Sequence, residues 1–194
     1  MRLVVGLGNA GPEYEWTPHN MGFLAVDALA DRAKIRVTRP EARALVGRGQ
    51  LYGQDVVLAK PQTMMNLSGV AVQMLVERYQ CETSEMIVLI DEVDLPWGRL
   101  RIRERGRNST HNGLKSVIAS LRTDLFIRVR MGIRPERIWG DLGDYILCAM
   151  RADERKIAQE EAAEAAGAVE FILHKGVAKA MTRFNRKNSP EATG

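Results

Sequence analysis

The sequence has little of what disulfide, metal or membrane chemistry would need. Its two cysteines, Cys81 and Cys148, are isolated, which argues against a disulfide framework or a zinc site and is typical of a reducing cytoplasm. No apolar run is long enough to cross a membrane, and the first residues have the pattern of a strand. We therefore expect neither a membrane span nor a signal peptide. Histidine is also scarce, with three in the chain.

The residues that are present suit a single compact domain. The chain has 194 residues, of which 45% are apolar and 27% charged, enough to bury a sizeable core. Its net charge of +4 is modest, but acidic residues concentrate at 153–170 and arginines at 99–137. A local basic surface on a nearly balanced chain predicts a polyanionic partner bound at one place.

Strand and helix patterns alternate along the chain. Strands are predicted at 2–7, 44–52, 55–59, 86–90, 99–103 and 127–133, with Gly53-Gln54 linking a hairpin. Helices are predicted at 20–34, 67–79, 114–121, 141–150, 153–173 and 178–184. This order predicts an α/β fold, a single domain with a mixed β-sheet and helices on both faces. We expect the domain to span residues 1–187 and the tail, 188–194, to be disordered.

Four polar motifs lie where predicted strands end. They are Gly6-Leu7-Gly8-Asn9, Pro18-His19-Asn20, Met64-Met65-Asn66-Leu67-Ser68-Gly69 and His111-Asn112-Gly113-Leu114-Lys115. In an open α/β sheet such strand ends meet in one crevice. Asparagine amides can bind amide and carbonyl groups there, while an imidazole moves a proton near neutral pH. The combination points to hydrolysis of an acyl bond.

His19 is the candidate general base, and Asp91 is its candidate partner. His19 lies in a loop that opens a helix, whereas His174 follows the long helix and is interpreted as structural. Asp91 ends the most apolar strand, where a carboxylate would be partly desolvated and could hold the imidazole. The alternative is that Asp91 is only a turn or capping residue. His111 is the one histidine that could replace His19.

Several competing interpretations depend on the same motifs. Asn66 and Asn112 could be ordinary helix N-caps. The first motif with Gly11 satisfies the G-x-G-x-x-G dinucleotide fingerprint, but Pro12 follows where that fingerprint needs a helix. Ser68 lacks the G-x-S-x-G elbow of a serine nucleophile. No His, Asp and Glu set has ligand spacing, so neither a metal nor a cofactor is expected.

Arginines alternate with other residues from Arg99 to Arg107. Strand periodicity places Arg99, Arg101 and Arg103 on one face and the apolar residues between them on the other. A solvated outer face is the alternative. Together with Arg130 on a neighbouring predicted strand, the row favours a phosphate-binding surface.

Taken together, the motifs resemble those of bacterial peptidyl-tRNA hydrolases. The resemblance extends, in order, to Tyr14, Lys60-Pro61, Asp91-Glu92-Val93-Asp94-Leu95-Pro96 and Ala180-Met181-Thr182-Arg183-Phe184-Asn185. It implies a monomeric α/β enzyme that hydrolyses the ester between a peptide and its tRNA and so recycles tRNA. The chain departs from the family pattern at Ala10, Pro18, Met64 and Ser109-Thr110, where the last change is expected to stiffen a loop.

The resemblance also implies roles for individual residues. His19 would be the catalytic base, and Asp91 would keep it ready to accept a proton. Asn9 would discriminate blocked from free aminoacyl groups. The substrate would contact Tyr14, Met64, Asn66 and Asn112, and the tRNA 5′ phosphate would bind Arg103 and Arg130. A catalytically inactive RNA-binding module on the same scaffold is the alternative.

Overall fold

The computed structural model describes residues 1–106, 110–136 and 140–186. Over these residues the chain forms seven strands and six α-helices. They are β1 (Arg2–Gly6), α1 (Met21–Ala33), β2 (Arg39–Glu41), β3 (Ala44–Leu51), β4 (Gln54–Pro61), α2 (Ser68–Tyr79), β5 (Ile87–Pro96), β6 (Leu100–Arg105), α3 (Asn112–Leu121), β7 (Leu125–Arg134), α4 (Leu142–Leu147), α5 (Ala152–Lys175) and α6 (Val177–Arg186). The predictions for Arg107, Ser109 and the tail concern residues outside these ranges.

All seven strands form one mixed sheet in the order β2-β3-β4-β1-β5-β7-β6. The central strands β4, β1, β5 and β7 are parallel, while β3 and β6 run antiparallel to their inner neighbours. The predicted α/β fold is confirmed. The short edge strand β2 was not predicted, because it contains a proline between two charged residues, and such strands occur mainly at sheet edges.

Helices cover both faces of the sheet. Alternating residues of β1 enter different layers: Val4 packs on the side of α1, α5 and α6, whereas Leu3 and Val5 pack on the side of α2 and α3. These β1 side chains are fully buried, and burying one such side chain contributes about 1.5–3 kcal/mol. No described helix is long and apolar enough to cross a membrane.

Strand β5 extends past Asp91, which was predicted to end it. Its apolar half lies between two parallel neighbours, but β1 accompanies it only as far as Leu89. Beyond that point β5 continues beside β7, with Asp91 opposite Met131. The carboxylate is therefore held by regular strand backbone and still lies where β1 has ended.

Two further predicted boundaries are wrong. The hairpin turns at Tyr52 and Gly53, which adopt φ of 52° and 74°, and not at Gly53-Gln54. The helix predicted at 141–150 is shorter, because after α4 the chain turns to place the Met150 amide 2.7 Å from the Trp16 carbonyl oxygen.

Candidate active site

The predicted catalytic histidine lies at the carboxyl end of β1, in a 3-10 turn over Pro18–Asn20 that leads directly into α1. A glycine permits this close approach of helix and sheet. A Cβ atom at Gly22 would lie 2.3 Å from the Leu7 carbonyl oxygen, so only glycine lets the start of α1 contact the end of the strand. The imidazole of His19 is buried there, with a residue exposure of 6%.

The Asp91 carboxylate lies between two imidazoles. His19 Nδ1 is 3.0 Å from Asp91 Oδ2 and 3.1 Å from Oδ1, and His111 Nε2 is 2.8 Å from Oδ1. An ionised carboxylate only accepts hydrogen bonds, so both of these nitrogens carry a proton. In neutral His19 this leaves Nε2 with the lone pair, which is the form that a general base requires.

The charge state of Asp91 follows from its partners. Its side chain is almost wholly buried, and burial alone would raise the pKa of the carboxyl group. The two histidines act in the opposite direction through their charge and hydrogen bonds and lower the Asp91 pKa well below its usual range. Asp91 is therefore ionised at neutral pH and can stabilise a positive charge on either ring.

His111 has a second contact that fixes its tautomer. It is the N-cap of α3, where its Nδ1 accepts from the Leu114 backbone N–H at 3.2 Å. Its ring centroid lies 4.8 Å from that of His19. The N-cap interpretation of the asparagines is thus wrong, because α3 is capped by His111 and α2 has Leu67 at the N-cap position, while Asn66 and Asn112 lie within helical turns.

The same three side chains are the one group in the described ranges that could hold a metal ion. Their ligand atoms lie within 4.8 Å of one another, although sequence spacing predicted no such set. For His111 Nε2 to bind a cation, its proton would have to move to Nδ1. That would break the hydrogen bond from Leu114, so the present arrangement of donors favours hydrogen bonding.

A cavity of about 150 Å³ opens at the two histidines. Asp91 and Asn112 line it with them, and α4 contributes Leu142, Gly143 and Ile146. Helix α4 is held in place by Tyr145, whose hydroxyl accepts from Trp97 Nε1 and donates to the Ile133 carbonyl oxygen, both at 2.9 Å. The cavity therefore combines the histidine pair with one amide side chain beneath an apolar helix.

Asn9 lies beside this cavity without lining it. Its side chain is buried, and Oδ1 accepts from the Met65 backbone N–H at 2.8 Å. Its backbone bonds to the side chain of Asn20, the residue that follows His19. Asn9 and Asn20 line a neighbouring cavity of about 250 Å³ that extends to Lys60.

The remaining predicted substrate residues lie outside the cavity at the two histidines. Tyr14, Met64 and Asn66 do not line it; Met64 is 50% exposed, Asn66 is exposed, and Tyr14 is partly buried. Ser68 is fully buried, and its hydroxyl donates to the Met65 carbonyl oxygen at 2.8 Å. The Ser68 hydroxyl is therefore not accessible to a substrate, which argues against Ser68 as a nucleophile.

The glycine motif after β1 does not lead directly into a helix, as a dinucleotide-binding site would require. Gly11 adopts a φ of +126°, and a 3-10 turn over Pro12–Tyr14 follows it. The first α-helix begins only at Met21. Gly11 therefore does not open a helix, as the third glycine of the fingerprint must.

Arginines line the outer part of the sheet on the α2 and α3 side. Arg101 lies opposite Arg130, and Arg103 lies opposite Arg128, so all four side chains project from the same face. Leu100 and Ile102 are buried on the other face, as predicted. Arg99 was predicted to share the row but precedes β6.

The arginines differ in their partners. Arg130 forms an ion pair with the buried Glu92. Arg128 is buried and donates to the Asp124 carbonyl oxygen at 2.9 Å, with its guanidinium 4.5 Å from the Phe126 ring centre. Burial, followed by the charges of Arg103 and Arg130, lowers the pKa of Arg101. Positive charge thus exceeds negative charge on this face, which favours an anionic ligand.

Comparison with known proteins identifies the family. A family model described as Peptidyl-tRNA hydrolase matches residues 3–192. The chain is 48% identical to the peptidyl-tRNA hydrolase of Koribacter versatilis (strain Ellin345), with 100% of this chain and 97% of the relative covered. The crystal structure of peptidyl-tRNA hydrolase from Acinetobacter baumannii is 32% identical, with a TM-score of 0.87 over 95% of this chain and 94% of that one. The chain belongs to the peptidyl-tRNA hydrolase family.

Peptidyl-tRNA hydrolases of other bacteria are similar over the same length. The relative from Solibacter usitatus (strain Ellin6076) is 46% identical over 96% of this chain and 95% of its own. The resemblance read from the motifs is confirmed, and this protein is an enzyme that hydrolyses peptidyl-tRNA.

Two residues at this hydrolase's site were missed or undervalued in the sequence. The sequence predicts His111 only as a replacement base, and it gives Asn20 only as part of a motif. Both lie next to a predicted site residue in the sequence, which was the available signal. Sequence spacing could not reveal that they bond to residues 20 and 11 positions away.

Proposed function

We propose that His19 is the general base of this peptidyl-tRNA hydrolase and that Asp91 orients it. The observation that carries the proposal is the Asp91 carboxylate bonded to both His19 and His111 at 2.8–3.1 Å. His19 Nε2 takes a proton from a water molecule, which attacks the ester carbonyl carbon. Asp91 stabilises the imidazolium that forms. When the tetrahedral intermediate collapses, the proton passes to the leaving ribose oxygen.

Asn112 is our candidate for stabilising the oxyanion of that intermediate. It lines the same cavity as His19, and its amide can donate without carrying a charge. In other hydrolases one such donor contributes about 2.7–4 kcal/mol. Asn66, Met64 and Tyr14 are proposed to contact the peptide or the tRNA end outside the cavity, and Asn9 to select N-blocked substrates.

The face of β6 and β7 that carries the paired arginines is proposed to bind the tRNA 5′ phosphate through Arg103 and Arg130. It is supported by the like-charged neighbours on β6 and β7. Because Arg130 already pairs with Glu92, Arg103 and Arg101 would supply most of the uncompensated charge. Phosphate contacts of this kind set affinity and salt dependence and leave the chemical step unchanged.

We further infer a cytoplasmic enzyme that acts as a monomer, without a metal or cofactor, and recycles tRNA from interrupted translation. The domain would span residues 1–187, with 188–194 as a tail. Cys81 and Cys148 are unpaired, in keeping with a reducing compartment. The alternative of a non-catalytic RNA-binding module is disfavoured, because the histidine and carboxylate are arranged for proton transfer.

The substitution His19→Ala tests the proposal. We expect the folded variant to bind peptidyl-tRNA with nearly unchanged affinity while turnover falls by about two to four orders of magnitude, the usual effect of losing a general base. Peptide release would be measured on purified peptidyl-tRNA, and binding by filter retention. Turnover close to that of the unmodified enzyme would contradict the proposed mechanism.

A further inference from the structure

The side chain of Asn20 bonds to both backbone groups of Asn9. Asn20 Oδ1 accepts from the Asn9 N–H at 2.8 Å, and Asn20 Nδ2 donates to the Asn9 carbonyl oxygen at 3.0 Å. Asn20 is 2% exposed and follows His19 directly in the 3-10 turn. The residue that selects the substrate in our proposal is thus fixed to the turn that carries the proposed base.

The side chain of Asn9 is fixed as well, and in one orientation. Its neighbour is the Met65 backbone N–H, which can only donate, so the Asn9 oxygen must face it, at 2.8 Å. Among the described residues, none accepts a hydrogen bond from Asn9 Nδ2. These bonds join the two ends of the connection between β1 and α1 to each other and to the loop after β4. They leave an N–H donor of Asn9 for the substrate.

A fixed N–H donor distinguishes the two classes of aminoacyl group. In an N-blocked substrate the group attached to the amino nitrogen carries a carbonyl oxygen, which can accept from Asn9 Nδ2. A free aminoacyl group has no such oxygen and presents an ammonium, whose N–H bonds would face the Asn9 donor. A site that holds a polar group ready for a partner rejects an analogue that leaves it unpaired.

We propose that Asn20 is a positioning residue for substrate selection: by holding the Asn9 backbone, it keeps Asn9 Nδ2 directed at the acyl carbonyl of blocked substrates. This inference rests on the proposed function, in which Asn9 is the selecting residue. Asn20 does not line the catalytic cavity. It acts through Asn9 and needs no contact of its own with the substrate.

The test compares kcat/KM for N-acetyl-aminoacyl-tRNA and the matching free aminoacyl-tRNA. We expect Asn20→Ala to lower the ratio of the two values by about 5- to 100-fold, the effect of losing discrimination by one hydrogen bond. Asn20→Ser, whose hydroxyl can make one of the two bonds, should give an intermediate ratio, and it decides the question if the alanine variant does not fold.

Gln54→Ala is the matched control. The Gln54 amide also bonds to two partners, accepting from Arg2 Nε at 3.0 Å and donating to the Leu173 carbonyl oxygen at 2.5 Å, but it lies in β4 away from these loops. Its removal should lower stability and leave the ratio unchanged. In an Asn9→Ala background, Asn20→Ala should have no further effect on the ratio.

The variants separate the possible failures. If Asn20→Ala and Asn20→Ser keep the ratio of the unmodified enzyme while Asn9→Ala lowers it, Asn20 has no positioning role and the selecting role of Asn9 stands. If Asn9→Ala itself keeps the ratio, Asn9 does not select the substrate, and both proposals fail. Equal loss of activity on both substrates in the Asn20 variants would also overturn the inference.

Discussion

At the scale of single residues, the pKa values of two buried carboxyl groups are shifted in opposite directions because their partners differ. Asp91 accepts from two imidazoles, which lower its pKa despite its burial. Among the described residues, Glu161 on α5 accepts only from backbone N–H groups, those of Gly132 at 2.8 Å and Gly98 at 3.3 Å. Burial outweighs these bonds and raises the pKa of Glu161 to about 8. A charged partner, when present, therefore decides the protonation state of a buried acid here.

Glu161 predicts a pH dependence of stability. The unfolded carboxyl group titrates near its ordinary value of 4.5 and the folded one near 8, so the folded state binds one more proton between these values. Stability should therefore fall as pH rises through this window, by up to about 1.4 kcal/mol per pH unit. In Glu161→Gln this contribution should be absent, as urea unfolding at a series of pH values would show. An identical pH dependence in both proteins would contradict the assignment.

The contact between His19 and Asp91 could be predicted, because His19 precedes the first helix and Asp91 follows the most apolar part of β5. The bridging contact of His111 could not, because sequence position does not determine how a side chain is oriented. The same is true of Asn9: the sequence places it near the crevice, but only the contact with Met65 shows that its amide oxygen, and not its nitrogen, faces the protein there.

At the scale of elements, α6 completes the edge of the sheet. In the part of the chain that the structure describes, strand β6 has a strand neighbour on one side only, and its outward backbone groups have no strand partners there. Asn185 of α6 occupies this position at Ile102, accepting from its N–H at 2.8 Å and donating to its carbonyl oxygen at 3.1 Å. The helix thus holds the strand that carries Arg101 and Arg103.

Removing this contact should loosen β6. We expect Asn185→Ala to cost about 1–3 kcal/mol in the free energy of unfolding, because two partly buried backbone groups lose their partner. Amide hydrogen exchange should accelerate at Ile102 more than at the central strands. Thr182→Ala serves as the control, since the Thr182 hydroxyl is exposed and donates within its own helix. Unchanged exchange at β6 would show that α6 does not hold the edge.

Most elements could be predicted because their apolar patterns match their burial. The boundaries that failed depend on contacts distant in sequence. Strand β5 continues past its apolar half because β7 remains beside it, and α4 ends early because the following chain bonds to Trp16. Neither neighbour can be recognised from the local sequence.

At the scale of the whole molecule, positive charge is unevenly distributed over the surface although the net charge is small. The positive side chains of β6 and β7 gather at one end of the sheet, and Arg103 is among those with no negative partner in the ion pairs of the described residues. We expect Arg103→Gln to raise KM for peptidyl-tRNA and to reduce the slope of log affinity against log salt by about one. Arg39→Gln, on the opposite edge strand, is the control.

Substrates of two sizes show whether Arg103 serves recognition or folding. The loss should be much smaller for a minimal ester that lacks the tRNA body. If Arg103→Gln impairs the two substrates equally, the arginine supports the fold and does not recognise tRNA.

The central claim is that Asp91 acts in hydrolysis through His19, and a double-mutant cycle tests it most directly. The value of kcat/KM for peptidyl-tRNA would be measured for the unmodified enzyme, His19→Ala, Asp91→Asn and the double variant. Each single change should lower it by about 10²–10⁴-fold, and the double variant should be no slower than His19→Ala, because residues that act as a unit are not additive. Losses that multiply in the double variant would contradict the account.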